Sequence, residues 1–222
     1  MKLALLFSGG KDSTYAGYLA QQQDHTIECL ITIISKNPDS YMFHTPNISK
    51  VKEQAKVMSL PLITCETTGV KELELIDLKK AIKKAINKYK IEGVITGAIQ
   101  SVYQSSRIQR ICDELKIKCL NPIWGKDEIV LLKELIKNKF KVIVIGVAAY
   151  PLEKSWLGRK IDKYFIKEVK ELQKKYKINP AGEGGEFETF VLDCPMFLRK
   201  LKVIESKVIE NQGAWKLEIS VE

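Results

Sequence analysis

Six residues near the start of the chain, Ser8-Gly9-Gly10-Lys11-Asp12-Ser13, have the make-up of an anion cradle. Two glycines let the backbone turn sharply and approach a ligand closely. Where a helix begins, its first N–H groups lack partners and its dipole favours negative charge. Ser8 and Ser13 add hydroxyl donors, and Lys11 adds a positive charge. Asp12 is out of place beside phosphates unless a cation intervenes, so Mg2+ is the natural inference, with Asp12 as its ligand. The spacing is neither the G-x-x-x-x-G-K-[ST] of a Walker A loop nor the G-x-G-x-x-G of a dinucleotide fingerprint. A serine-capped structural turn is the plainer alternative. Six suitable residues at a strand–helix junction favour a phosphate site.

A second cluster lies far along the chain. Glu183, Glu186, Glu188 and Asp193 place four carboxylates within eleven residues of a protein whose net charge is +9. An exposed acidic turn is the plain reading. Gly184, Gly185, Phe187, Phe190 and Val191 argue against mere solvation. Period-two alternation would set Glu186 and Glu188 on one strand face, opposite Phe187. The segment therefore reads as the lining of a site.

These residues need elements to position them. Apolar runs at 2–7, 26–35, 60–65, 92–96, 117–120 and 141–147 read as strands. Helical patterns fill the intervals: 12–22, 45–58, 71–89, 100–115 and 126–137. Thr45-Pro46 looks like the cap and first residue of its helix. The clearest helix repeats Leu75, Leu78, Ile82, Ala85, Ile86 and Tyr89 at three- and four-residue spacing. Strand and helix alternate, which implies a parallel sheet with helices on both faces. After residue 150 the pattern changes to a helix at 162–176 and antiparallel strands at 187–192, 200–210 and 214–221. Asn211-Gln212-Gly213 suits the last hairpin turn. A boundary near 121–125 divides the chain into a nucleotide-binding domain, 1–122, and a smaller α+β substrate domain, 123–222.

In open parallel sheets, ligands sit at the carboxyl ends of the strands. Gly97-Ala98-Ile99 ends the fourth strand on that edge, where an adenosine could pass close to backbone. Ser101, Gln104 and Arg107 follow at helical spacing, and Arg107 could reach a phosphate.

Composition sets limits. The chain has 222 residues, 45% hydrophobic and 28% charged, as expected of a folded protein. No apolar run approaches the roughly 20 residues of a membrane span, and residues 1–7 lack a signal peptide's cleavage region, so a cytoplasmic protein is expected. Five cysteines without a C-x-x-C pair suggest reduced, buried thiols rather than a metal site. Only 4 of the 36 basic residues are arginine, which weighs against a nucleic-acid reader.

The Ser8–Ser13 loop resembles the pyrophosphate loop of the N-type ATP pyrophosphatases, whose α/β/α domains are of the HUP/PP-loop type. These enzymes adenylate an oxygen, release pyrophosphate and let a nucleophile displace AMP. The resemblance implies that Ser8, Gly9, Gly10, Asp12 and Ser13 hold pyrophosphate and Mg2+, with Lys11 and Asp12 aiding its departure. Further segments resemble the diphthine–ammonia ligase family. They are Met42-Phe43-His44-Thr45-Pro46-Asn47, Gly97-Ala98-Ile99 with Ser101, Tyr103, Gln104 and Arg107, Trp156-Leu157-Gly158, and the acidic run from Glu183 to Asp193. That family converts diphthine, a modified histidine of translation elongation factor 2, to diphthamide with ATP and ammonium.

The family implies an acyl-adenylate; ammonium must lose a proton before it attacks, and Glu183, Glu186 or Glu188 could take it if partial burial raises its pKa. The family further implies that His44, Ser101, Tyr103, Gln104, Trp156, Gly184, Gly185 and Thr189 contact the acceptor. Diphthine's trimethylammonium group would sit near Glu186, Tyr103 and Trp156. Plainer roles remain for some of these: His44 as a turn residue, Trp124 and Trp156 as packing. No glutaminase nucleophile motif is evident, so free ammonium is the expected donor. A tRNA-modifying relative, a non-catalytic nucleotide-binding module, a kinase-like enzyme and a homo-oligomeric assembly stay open.

Overall fold

The computed structural model describes residues 1–37, 50–211 and 213–222. Five strands form a parallel sheet in the order β3-β2-β1-β4-β5. They are β1 (Lys2–Leu6), β2 (Thr26–Ser35), β3 (Leu62–Thr67), β4 (Gly93–Ile95) and β5 (Lys118–Leu120). Helices α1 (Lys11–Gln22), α2 (Val51–Val57), α3 (Glu74–Tyr89) and α4 (Val102–Leu115) make the crossovers. The chain winds outward from β1 to β3, then crosses back to β4 on the other side of β1. Such a reversal opens a crevice at the carboxyl ends of the two strands. The loops after β1 and after β4 flank it, and they carry the glycine-rich segment and Gly97.

Alternation along β1 sends Leu3, Leu5 and Phe7 to one face and Ala4 to the other. The Ala4 face is covered by α3 and α4 through Leu78, Ile82, Ala85, Ile108 and Ile111. The Leu5 face packs on α1, on α5 (Glu128–Lys137) and on the second sheet, through Ala16, Ala20, Leu131, Val144 and Val191. In β2 the pairing shifts between Leu3 and Ala4, so Ile27 faces the Leu5 side while Cys29, Ile31 and Ile33 face α3.

The second sheet is four-stranded and antiparallel, in the order β7-β6-β9-β8. Its strands are β6 (Lys141–Val147), β7 (Phe187–Asp193), β8 (Val203–Asn211) and β9 (Ala214–Val221), and α6 (Lys163–Tyr176) precedes β7. Here the expectation from alternation needs correcting. Strand 141–147 does not extend the parallel sheet; it pairs antiparallel with β7 and β9. Its unbroken apolar run reports that both faces are buried, Val142 and Val144 on one side and Ile143 and Ile145 on the other. Burial of both faces does not specify strand direction. The antiparallel strands after residue 187 are as expected. Thr45-Pro46, the segment Met42 to Asn47 with His44, and Gln212 of the expected turn lie outside the described residues.

Gly97 has a definite packing role. A Cβ there would stand 2.6 Å from the amide nitrogen of Ser13 and 2.8 Å from the carbonyl carbon of Asp12. The first turn of α1 therefore rests directly on this glycine. Ala98 and Ile99 are likewise buried, and the Ile99 carbonyl accepts from Gly125 N–H at 2.8 Å. Because the neighbours are backbone, they cannot turn aside. Gly97→Ala should cost about 1–3 kcal/mol, lowering the Tm by roughly 2–12 °C for a chain of this length, as thermal denaturation would register. An unchanged Tm would mean that α1 does not bear on β4 in this way.

Candidate active site

The glycine-rich loop forms as its residues dictate. Gly9 takes a positive φ of +81°, a conformation favoured only for glycine. Gly10 is the extended cap of α1. Ser8 and Ser13 hydroxyls lie 3.1 Å apart, and each also meets loop backbone: Gly10 N–H donates to Ser8 Oγ at 3.4 Å, and Ser8 N–H to Ser13 Oγ at 3.3 Å. These long contacts are weak. A ligand anion could displace them and take the same donors.

The loop is bolted to the second sheet. Lys11 N–H donates to Thr189 Oγ1 at 3.1 Å, which satisfies one of the helix's partnerless amides from β7. Val191 N–H donates to the Gly9 carbonyl at 3.1 Å. Gln54, fully buried on α2, donates through Nε2 to both the Gly9 and Val191 carbonyls, at 2.9 and 2.8 Å. Thr189, expected at the substrate, is a brace inside the protein, only 4% exposed.

Lys11 does not reach out toward a ligand. Its side chain is 4% exposed, with Nζ 2.7 Å from Asp12 Oδ2 and over the Phe187 ring. Burial alone would lower its pKa, but Asp12, Glu183 and Glu188 outweigh that and hold it above the ordinary lysine value. The loop's cation thus meets the acidic segment. Asp12 keeps its second oxygen, Oδ1, buried without a protein partner. That orphaned acceptor beside the anion cradle suits a divalent cation. Among the described residues no three His, Cys, Asp or Glu side chains gather into a metal site. The remaining ligands would come from phosphate oxygens and water, as Mg2+ prefers.

Glu183 is a carboxyl displaced far from its ordinary titration range. Burial, then the neighbouring Asp12 charge, raises its pKa to about 7, although Lys11 pulls it down; Glu128 and Glu186 push it further up. A carboxylate that changes charge near neutrality suits a general base. It lines a cleft of about 800 Å³ with Gly184, Glu186, Gln100, Ser101 and Asn179, where Gln173, Lys174 and Lys177 of the α6 end supply the other wall. Gly185 is exposed beside it, with a φ of +84°.

Several expected site residues have other duties. Strand β7 begins at Phe187, so Glu186 stays in the preceding loop and does not share a strand face with Glu188. Its carboxylate accepts from Asn179 N–H and Gly184 N–H, both at 2.8 Å, and so folds the loop. Trp156 is 5% exposed in the core, edge-on to Phe165, with the Arg159 guanidinium 4.1 Å over its ring. Its face has no room for a trimethylammonium group. Tyr103 bonds Glu72 at 3.1 Å and stacks under Arg107, whose Nε donates to Glu72 at 2.7 Å. Arg107 thus has its carboxylate already and is not extended toward a phosphate. Glu186, Tyr103 and Trp156 form no cage. The Ser101 hydroxyl caps α4 by accepting from Gln104 N–H, yet Ser101 also borders the cleft. Asp193 lies at the far end of β7, opposite Lys141.

Two organising residues were missed. Gln54 interrupts the apolar stripe Val51, Ala55, Met58 of α2, and a polar residue inside such a stripe is a readable signal. Asn179 ties the acidic loop together: its Oδ1 accepts from Ala181 N–H and Glu183 N–H, and its Nδ2 donates to Glu128. The Asn179-Pro180 turn dipeptide was its only trace in the sequence.

An α/β nucleotide-binding enzyme of the ligase class is what the switch-point loop and its attached acidic cleft define. The chain belongs to the diphthamide synthase family: residues 1–119 match the family's N-terminal domain and residues 127–221 its C-terminal domain. It is 36% identical over 235 residues to a diphthine–ammonia ligase of Mus musculus, covering 96% of this chain and 86% of that one. The Homo sapiens diphthine–ammonia ligase is 34% identical over 231 residues, 94% of this chain and 85% of the human one. A Methanocaldococcus jannaschii structure described as a predicted subunit of tRNA methyltransferase overlays with a TM-score of 0.46 at 19% identity, covering 88% of this chain and 98% of that one. That likeness is too slight to bear on the site. Among the described residues no helix is long and apolar enough to cross a membrane.

The Glu183 shift has a consequence for stability. In the unfolded chain this carboxyl ionises near 4.5, and in the folded protein near 7, so folding favours its protonated form. That contribution is complete below pH 4.5 and is lost as pH rises through 7. Glu183→Gln should therefore match the wild type in Tm near pH 4.5 and exceed it at pH 8. The gain, discounted for partial solvent access, is about 1–2 kcal/mol. A difference that did not vary with pH would refute the assignment.

Proposed function

We propose that the protein amidates diphthine on translation elongation factor 2, forming diphthamide from ATP and ammonium. The observation that carries this reading is the meeting of Lys11 with Asp12, Glu183 and Glu188, which sets an anion cradle against a carboxylate titrating near neutrality. In this reading the triphosphate of ATP lies against the Ser8–Ser13 amides and hydroxyls. The diphthine carboxylate attacks the α-phosphorus and pyrophosphate leaves, giving an acyl adenylate. Ammonia attacks the acyl carbon and AMP departs, leaving the amide.

Each step asks something of this chain's own groups. Loop amides and serine hydroxyls stabilise charge on the departing pyrophosphate. Asp12 Oδ1 would hold Mg2+, which when bound neutralises phosphate charge. Glu183 accepts a proton from ammonium, since only the neutral amine is nucleophilic. The cleft beside Glu183, open to solvent between Ser101 and Lys177, admits a side chain presented by a large protein.

The test is incubation with ATP, ammonium and diphthine-bearing elongation factor 2. AMP, pyrophosphate and a one-amide change in the mass of the modified histidine are expected. ADP as product, or label from ammonium appearing in tRNA instead, would refute the reading. Glu183→Gln should slow amidation about 100-fold or more and remove an inflection near pH 7 from the rate profile. Persistence of that inflection in the variant would place the base elsewhere.

A further inference from the structure

We infer that Gln54 is a positioning residue for the anion cradle: it fixes the orientation of the Gly9–Gly10 peptide so that its N–H, not its carbonyl, faces the bound phosphates. The inference rests on the nucleotide reading above. Its argument is geometric.

A peptide unit is planar, and in the trans form its C=O and N–H point in opposite directions. The Gly9 carbonyl and the Gly10 N–H belong to one such unit. The carbonyl accepts two hydrogen bonds, from Gln54 Nε2 at 2.9 Å and from Val191 N–H at 3.1 Å. Both donors lie on the α2 and β7 side. The Gly10 N–H is thereby turned the other way, to the Ser8 hydroxyl side, where its 3.4 Å contact is easily exchanged for an anion. Without such a hold this unit is free to rotate, because glycine on each side accepts φ of either sign. A rotated unit would aim a carbonyl oxygen at phosphate.

Gln54 suits the task by position as well as by bonding. It is fully buried, and its two N–H groups serve two carbonyls from different elements, Gly9 and Val191. Its own Oε1 has no hydrogen-bond partner and is the atom that a Cβ on Gly9 would strike. A buried unpartnered acceptor is a cost that packing alone would remove by substituting leucine or methionine. Gln54 therefore sits where an apolar residue would serve the core better, and its compensation is the held loop. Gly9 and Gln54 form a matched pair: the glycine makes room for the amide, and the amide orients the glycine.

The experiment compares wild type, Gln54→Leu and Gln54→Glu by calorimetric titration with magnesium pyrophosphate and, separately, with adenosine, alongside Tm. Gln54→Leu should weaken pyrophosphate about 10-fold or more, the loss of one amide contact to an anion, while adenosine affinity changes less than about twofold. Gln54→Glu keeps the shape. Protonated, it donates one hydrogen bond; ionised, it repels both carbonyls. Its pyrophosphate affinity should therefore fall as pH rises, relative to wild type over the same range. Equal losses for pyrophosphate and adenosine would indicate general loosening and overturn the inference, as would unaltered pyrophosphate binding. If Gln54→Leu does not fold, the pH trend of Gln54→Glu decides alone, a flat trend overturning the inference. Wild-type protein that bound no pyrophosphate would overturn the nucleotide reading itself, which a defect confined to the variants would not.

Discussion

Burying an ammonium group without water is tolerable only where negative charge compensates it. Lys11, 3% exposed, meets that condition with Asp12 beside it, Glu183 and Glu188 nearby and the face of Phe187 below. The lysine comes from the junction of β1 and α1, and the two glutamates from the segment around the start of β7. The attraction of this one ammonium to carboxylates from both segments therefore ties a loop of the parallel sheet to a loop of the antiparallel sheet. The lock has a chemical side effect. Lys11 is shared with Asp12, so Glu183 gains only part of the compensation its burial calls for, and it titrates near neutrality. The structural tie and the tuned carboxylate have the same physical origin.

Much of the fold was legible because period and punctuation agreed. Strand 26–35 and strand 141–147 were readable to the residue, since each is an apolar run closed by a change of polarity. The glycine-rich loop was legible because a sharp turn at a helix start restricts residue type so strongly. Strand direction in the second half was not legible from β6 alone: Ile143 and Ile145 are as buried as Val142 and Val144, and a run of that kind carries no directional mark.

The candidate site was legible as a set of segments and not as a set of roles. Glu183, Glu186 and Glu188 are alike in sequence, but Glu186 faces two loop amides while Glu183 faces Asp12 and Lys11, and only these folded surroundings distinguish them. Trp156 looked like a ligand contact through its family-like Trp156-Leu157-Gly158 segment, and Arg107 because arginine is scarce here. In the fold each has found a partner within the protein, Arg159 for the indole and Glu72 for the guanidinium. Gln54 went the other way. Its role depends on main-chain carbonyls from two distant segments, and carbonyls leave no trace in an amino-acid string.

The apolar interior beneath the site is continuous. Leu3, Leu5 and Ile95 of one sheet share a single cluster with Val144, Phe187 and Val191 of the other. A seam of that kind does not open and close like a jaw, because parting it would bring oil-like surface into water over the whole contact. The two halves must therefore melt as one cooperative block. Any opening at the cleft above it must therefore come from surface segments moving over a stationary floor, not from a swing of one lobe against its neighbour.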